Sequence, residues 1–126
     1  MSTLRKRVQE LIELVTLGRT IDAMDRFYAD DVVVFENREL ARAGREQCLA
    51  YERAQLEKMP VTPTFKALKW AVDEANDTVF SEWLIRFESA QGRSMRLEEV
   101  AVQKWHDGRI SEERFYYEGV IDEGVA

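Results

Sequence analysis

A chain of 126 residues, 45% hydrophobic and 33% charged, can bury one core and is too apolar to stay disordered. Its formal net charge of -6 excludes the clustered basic surface that nucleic acid requires, and one cysteine, Cys48, excludes an intramolecular disulfide. No apolar run approaches the ~18–20 residues of a membrane span, and MSTLRKRVQEL lacks the apolar segment of a secretory signal, so the expected compartment is the cytoplasm.

Leu4, Val8, Leu11, Ile12 and Val15 recur at helical spacing and predict a first helix, capped by Ser2 or Thr3. Gly18 stands where a helix commonly ends in a left-handed conformation. A second helix should follow at once, with Thr20 as its cap and Ile21, Met24, Phe27 and Tyr28 as its stripe. It breaks at Ala29-Asp30-Asp31. Val32 to Phe35 is β-branched and aromatic and predicts a short strand, with Glu36 and Asn37 at its far end. Asn37 to Gly44 shows no period and reads as a loop. A third helix starts near Gly44, with Cys48, Leu49, Leu56 and Met59 as a weak stripe bordered by Tyr51; Pro60 and Pro63 stop it.

Thr64 to Ala75 alternates around Phe65, Ala67, Leu68 and Trp70, a strand with one irregularity. Asn76-Asp77 is a turn, Thr78 to Ser89 a second long strand, and Gln91-Gly92 another turn. The final hairpin is the strongest local signal: Leu97 to Glu118, folded at Asp107-Gly108, where Gly takes a positive φ without a Cβ clash. Before that turn Leu97, Glu99, Ala101, Gln103 and Trp105 share one side; after it Ser111, Glu113, Phe115 and Tyr117 do. The order predicts a single α+β domain over 1–126: three N-terminal helices packed in a strongly curved, mostly antiparallel sheet, a cone-shaped barrel whose open end is a natural pocket.

Phe27 to Glu36 (FYADDVVVFE), the later Gly44, and Trp105 to Ile110 (WHDGRI) followed by Phe115 to Glu118 (FYYE) resemble the nuclear-transport-factor-2-like superfamily, most of all its SnoaL-like branch. That branch includes polyketide cyclases, with ketosteroid isomerases as relatives. The resemblance covers almost the whole chain and implies the cone fold, but this fold hosts enzymes, binding proteins and dimerisation modules alike. In the isomerases an acidic base follows the first strand, and Glu36 matches that position. Their two oxyanion donors fall on Leu11 and Ala101, which argues against a steroid-isomerase mechanism. The cyclases' acid/base on a late strand matches Glu118.

Three carboxylates are therefore candidates for proton transfer: Glu36, Glu99 and Glu118. If Ala101 faces the cavity, the period of two sends Glu99 inward as well, where a carboxylate needs a partner or a proton. A structural ion pair is the bland alternative. Tyr51, Trp83, Ala101, Glu113, Phe115 and Tyr117 are candidate pocket walls. The same parity points Glu118 outward, in conflict with its cyclase-like role unless a bulge shifts the register. His106, the only histidine, lies in the turn and reads as exposed; with one His and one Cys no metal cluster and no cofactor is expected. Leu84, Val100 and Val102 stand among Glu82, Arg86, Glu88, Arg96, Glu98 and Lys104, which suggests cross-strand charge pairs and a homodimer through the outer face. The expected function is a small acid–base enzyme (isomerase, cyclase, dehydratase or hydrolase) on a small, mostly apolar carbonyl- or hydroxyl-bearing compound. The alternative is a non-catalytic ligand-binding or dimerisation module.

Overall fold

The computed structural model describes residues 2–125. Helix α1 (Thr3–Thr16) begins at Ser2, whose Oγ accepts the Arg5 N–H at 3.1 Å and satisfies one of the orphan donors of the first turn. It ends at Gly18, φ 81°, as expected. Helix α2 (Thr20–Phe27) differs from expectation at its start. Thr20 is its first helical residue rather than its cap, and the hydroxyl donates instead to Glu52 Oε2 at 2.7 Å on α3 (Arg45–Glu57).

The first strand, β1 (Tyr28–Glu36), is longer than the apolar run suggested. Tyr28 opens it instead of closing a helical stripe, because Tyr28 is buried beside β6 while Asp30 and Asp31 stand exposed within the irregular stretch between Tyr28 and Val33. The segment read as a loop is also a strand. β2 (Glu39–Ala43) folds back on β1 around Asn37, whose φ is 54°. Its composition, Glu-Leu-Ala-Arg-Ala, favours a helix locally; pairing with β1 overrides it.

Four long strands follow: β3 (Thr64–Asp73), β4 (Thr78–Glu88), β5 (Arg93–His106) and β6 (Arg109–Tyr116). A seventh, β7 (Val120–Val125), was not foreseen; it continues the β6 edge of β5. The sheet runs β2-β1-β6-β5-β4-β3, with only β1 and β6 parallel, and β7 paired to β5 beside that path. It curls without closing. α1 packs on α2 and β3, and α3 packs on α2 and β1, so the helices fill one side of the curl. Val8, Phe27, Val32, Val34, Val79, Trp105 and Ile110 form the core there.

Two bulges set which side chains face inward. On β3, Ala67 pairs with Trp83 and Lys69 with Glu82, so Leu68 is the extra residue and the expected irregularity. On β6, Trp105 pairs with Ile110 but Lys104 with Glu112, so Ser111 is extra. Simple alternation put Ser111 on the inner face with Glu113. The bulge instead turns Ile110 into the core, fully buried, while Ser111 Oγ donates to the Lys104 carbonyl at 3.2 Å. The hairpin turn itself is left-handed at both central residues, Asp107 (φ 49°) and Gly108 (φ 77°).

The charge pairs expected between β4 and β5 do not form as drawn. Arg86 stands opposite Arg96, and both reach Glu123 of β7, at 3.7 and 3.6 Å. Lys104 pairs with Glu112 of β6 at 3.7 Å. No helix among the described residues is long and apolar enough to cross a membrane.

Candidate functional site

Helices and sheet enclose a cavity of about 390 Å³. The unbroken register of β4 against β5, from Thr78 opposite Lys104 to Glu88 opposite Ser94, sorts its wall into rows across the strands. One row is wholly apolar: Phe65, Ile85, Leu97 and Val120 from four strands. The next holds Trp83 and Glu99. The third runs through Ser81, Ala101 and Phe115 to Glu36 on β1. The fourth holds Gln103 and Glu113, beside Val34. The cavity thus has an apolar end and a carboxylate-bearing end, and Glu99 stands where they meet.

The deepest polar group is Glu113. Gln103 Nε2 donates to its Oε2 at 2.5 Å and the Tyr28 hydroxyl donates to its Oε1. Gln103 Oε1 in turn accepts from the Trp105 indole at 3.1 Å. All four residues are buried and every polar end among them has a partner. Burial pushes the Glu113 carboxyl above its usual range, against the opposing pull of those two hydrogen bonds and the Arg42 charge.

Glu36 is held in the opposite sense. Tyr117 donates its hydroxyl to Oε1 at 2.5 Å, and Arg42 of β2 donates to Oε2 at 2.6 Å. Burial acts to raise its pKa, but those bonds and the Arg42 charge outweigh it, leaving Glu36 below the usual carboxylate range. The Glu36 bond, then burial, push the Tyr117 hydroxyl up to about 12. Arg42 also lies over the Tyr51 ring, 4.0 Å from its centroid. Asn37 aims Tyr117: its side-chain oxygen accepts the Tyr117 N–H at 3.1 Å where β6 has ended.

Glu99 has none of this support. Among the described residues nothing hydrogen-bonds or ion-pairs with it; burial, then the charges of Glu113, Glu36 and Glu52, push it up to about 8. It is a neutral acid at pH 7, facing a cavity.

Eight of the nine residues singled out from the sequence line this cavity: Glu36, Tyr51, Trp83, Glu99, Ala101, Glu113, Phe115 and Tyr117. Glu118 does not. It is exposed beyond the end of β6, because Tyr117 takes the inward position and its neighbour must point away. His106 is exposed as expected, but as the last residue of β5, paired with Arg109, and not within the turn. The sequence reading missed Arg42, hidden in the supposed loop, and Tyr28, absorbed into a helical stripe. Among the described residues no group of three or more His, Cys, Asp or Glu side chains is arranged to hold a metal ion.

A family model, the SnoaL-like domain, matches residues 8–113. No curated protein matches the sequence significantly. Among solved structures, an NTF2-like protein of unknown function from Burkholderia pseudomallei is similar at 16% identity, covering 94% of this chain and 92% of its own, with a TM-score of 0.77. An LEH-like epoxide hydrolase from M. tuberculosis is similar at 16% identity over 91% of this chain and 82% of its own, TM-score 0.73. A Mesorhizobium loti protein assigned as a SnoaL-like polyketide cyclase is similar at 21% identity over 92% of this chain and 100% of its own, TM-score 0.71. At these identities the structures establish a shared fold, a curled sheet filled by helices, and the match over residues 8–113 makes the assignment: the chain belongs to the SnoaL-like domain family.

Proposed function

We propose that this protein is a cofactor-independent acid–base enzyme acting on a small, mostly apolar compound that carries a carbonyl or hydroxyl oxygen. The observation that carries this reading is Glu99, a protonated, unpartnered carboxyl on the wall of a cavity whose remaining carboxylates are held by other groups. Two carboxylates driven apart in pKa within one site divide the labour of acid and base. Glu99 donates its proton to the substrate oxygen as charge builds there. Glu36, ionised and braced by Arg42 and Tyr117, is the proton acceptor or the activator of a water. The row Phe65, Ile85, Leu97 and Val120 receives the apolar body of the substrate, and Trp83 and Phe115 flank its reactive end.

A cavity left open argues against a purely structural dimerisation module, which would fill it, and a proton-bearing carboxyl with no protein partner on its wall favours proton transfer over passive binding. That an epoxide hydrolase and a protein assigned as a polyketide cyclase share the fold is consistent, since opening an epoxide and closing a ring both call for proton transfer at an oxygen or carbon. The test is turnover of a panel of epoxides, enones and β-hydroxy ketones by the wild type and by Glu99→Gln. Activity reduced about 100-fold or more in the variant supports the assignment. Unchanged turnover by Glu99→Gln would sink it.

The convex face fits a second copy of the chain. Phe80 stands opposite Val102, and Val100 between Glu82 and Tyr116; Phe80 and Tyr116 are 43% and 50% exposed. Apolar centres rimmed by charge suit a self-complementary pairing of sheets.

A further inference from the structure

We propose that the cavity selects an apolar amine, whose ammonium group pairs with Glu99 while its hydrocarbon body lies along the row Phe65, Ile85, Leu97 and Val120. The selection follows from which polar groups are already engaged. Glu36 is taken by Arg42 and Tyr117, Glu52 by Thr20, and Glu113 by Tyr28 and Gln103. Arg42 is the one cation among the lining residues, and it is both ion-paired and stacked on Tyr51. An anionic ligand therefore meets carboxylates and no free cation. An alcohol of the same shape gains one hydrogen bond from Glu99. An ammonium gains an unpaired carboxylate that no protein group competes for, inside a low-dielectric wall where the charge pair is worth more than in water.

Aromatic side chains add to this. Trp83 stands directly opposite Glu99, Phe115 lies one row away, and Tyr117 lines the same cavity beyond the end of β6, so a cation at Glu99 is placed among aromatic side chains. The proton balance is explicit. The ligand enters as an ammonium, the Glu99 carboxyl gives its proton to solvent, and the ion pair forms; no bond to carbon changes. Binding near neutral pH thus releases close to one proton per ligand. The groups that face Glu99 and bias this exchange are Glu113 on β6, Glu36 on β1 and Glu52 on α3, and Tyr117, whose own titration feels Glu99. This inference uses the unpaired Glu99 of the acid–base reading but needs no catalysis.

Titration calorimetry with cyclohexylmethylamine, cyclohexylmethanol and cyclohexanecarboxylate at pH 7, in two buffers of different ionisation enthalpy, tests it. The amine should bind about tenfold or more tighter than the alcohol, the carboxylate weakest, with proton release seen for the amine alone. Glu99→Gln, checked for folding by its melting transition, should erase both the amine preference and the proton release. An amine no tighter than the alcohol, or a preference that survives in Glu99→Gln, overturns the proposal. Carbon-13 NMR of the Glu99 carboxyl separates the two readings. Titration near the ordinary carboxylate range defeats the acid–base role yet leaves amine pairing standing, seen as amine selectivity without proton release. Elevated titration with no amine selectivity does the reverse.

Discussion

Trp83 and Glu99 are directly opposed on β4 and β5, yet the Trp83 indole N–H turns to Ser81 Oγ at 2.9 Å and leaves the carboxyl alone. The donor across the ladder is thereby removed, and the neighbours that remain in electrostatic reach are other carboxylates. A carboxyl in that position keeps its proton, because ionising it would bury a charge without a counter-charge.

The pH dependence of stability should carry the mark of this group. Glu99 is raised from 4.5 to about 8 in the folded chain. Between those values the native state holds a proton that the unfolded state has lost, so stability falls as pH rises through that window. The full effect is on the order of a few kcal/mol. Glu99→Gln should flatten the slope, melting close to wild type at pH 5 and above it at pH 8.5. Thermal midpoints across pH 5–9 are the measurement, and a wild type that is flat over this range would contradict the assignment.

Glu113 gives a contrast between two substitutions. Glu113→Leu strands the Tyr28 hydroxyl and the Gln103 amide in the core, each an unsatisfied group costing ~1–3 kcal/mol. Denaturant unfolding should show a loss of several kcal/mol. Glu113→Gln keeps an acceptor for one donor and should cost less. It also removes the foremost of the like charges acting on Glu99, so the Glu99 titration should move down in that variant.

Arg42→Met tests the brace on Glu36. The pair is largely shielded, with side-chain exposures of 12% and 28%, so removing the cation should cost ~1–3 kcal/mol at pH 7. Glu36 lies below its ordinary value, so its contribution is present at neutral pH and lost as pH falls through the folded pKa. The wild-type advantage over Arg42→Met should therefore shrink in acid. Tyr117→Phe should raise the Glu36 titration with a smaller stability loss of ~1 kcal/mol, read by NMR and by melting.

Val100→Asp and Val102→Asp place a charge at the centre of the convex face, on strand positions directed away from the cavity. Sedimentation at micromolar concentration should show a dimer for the wild type and a monomer for either variant, with the circular dichroism spectrum unchanged. A wild type that sediments as a monomer would remove the proposed interface.

Much of the inner wall was legible because a strand's period of two is rigid. Placing Ala101 inside fixed Glu99, Gln103 and Leu97 with it, and the β4–β5 ladder has no bulge to break that inference. The Asp107-Gly108 turn then set the partner strand. Parity failed at Ser111, where a bulge that no local residue announces shifts two residues against one. It held again at Phe115 and Tyr117, and so correctly opposed the inward reading of Glu118.

Other members of the site had no local signal. Arg42 sits in five residues whose own preference is helical, and only the edge of β1 makes them a strand. Tyr28 continues the helical period of α2 by one residue, and only its burial against β6 and its bond to Glu113 turn it into the start of β1. Thr20 has the chemistry of a cap but finds Glu52 on a neighbouring helix first.

The sequence by itself determined the helices, the four long strands and the inward set of β5, because hydrophobic period and turn residues are local properties written in the chain. Tertiary structure alone decided which carboxylates ionise. Glu36, Glu99 and Glu113 are the same residue type on the same concave face; what separates them is a cation and a hydroxyl beside the first, an amide and a hydroxyl around the third, and like charges with no donor around the second. Those neighbours come from β1, β2, β5, β6 and α3, and no spacing along the chain records that they meet.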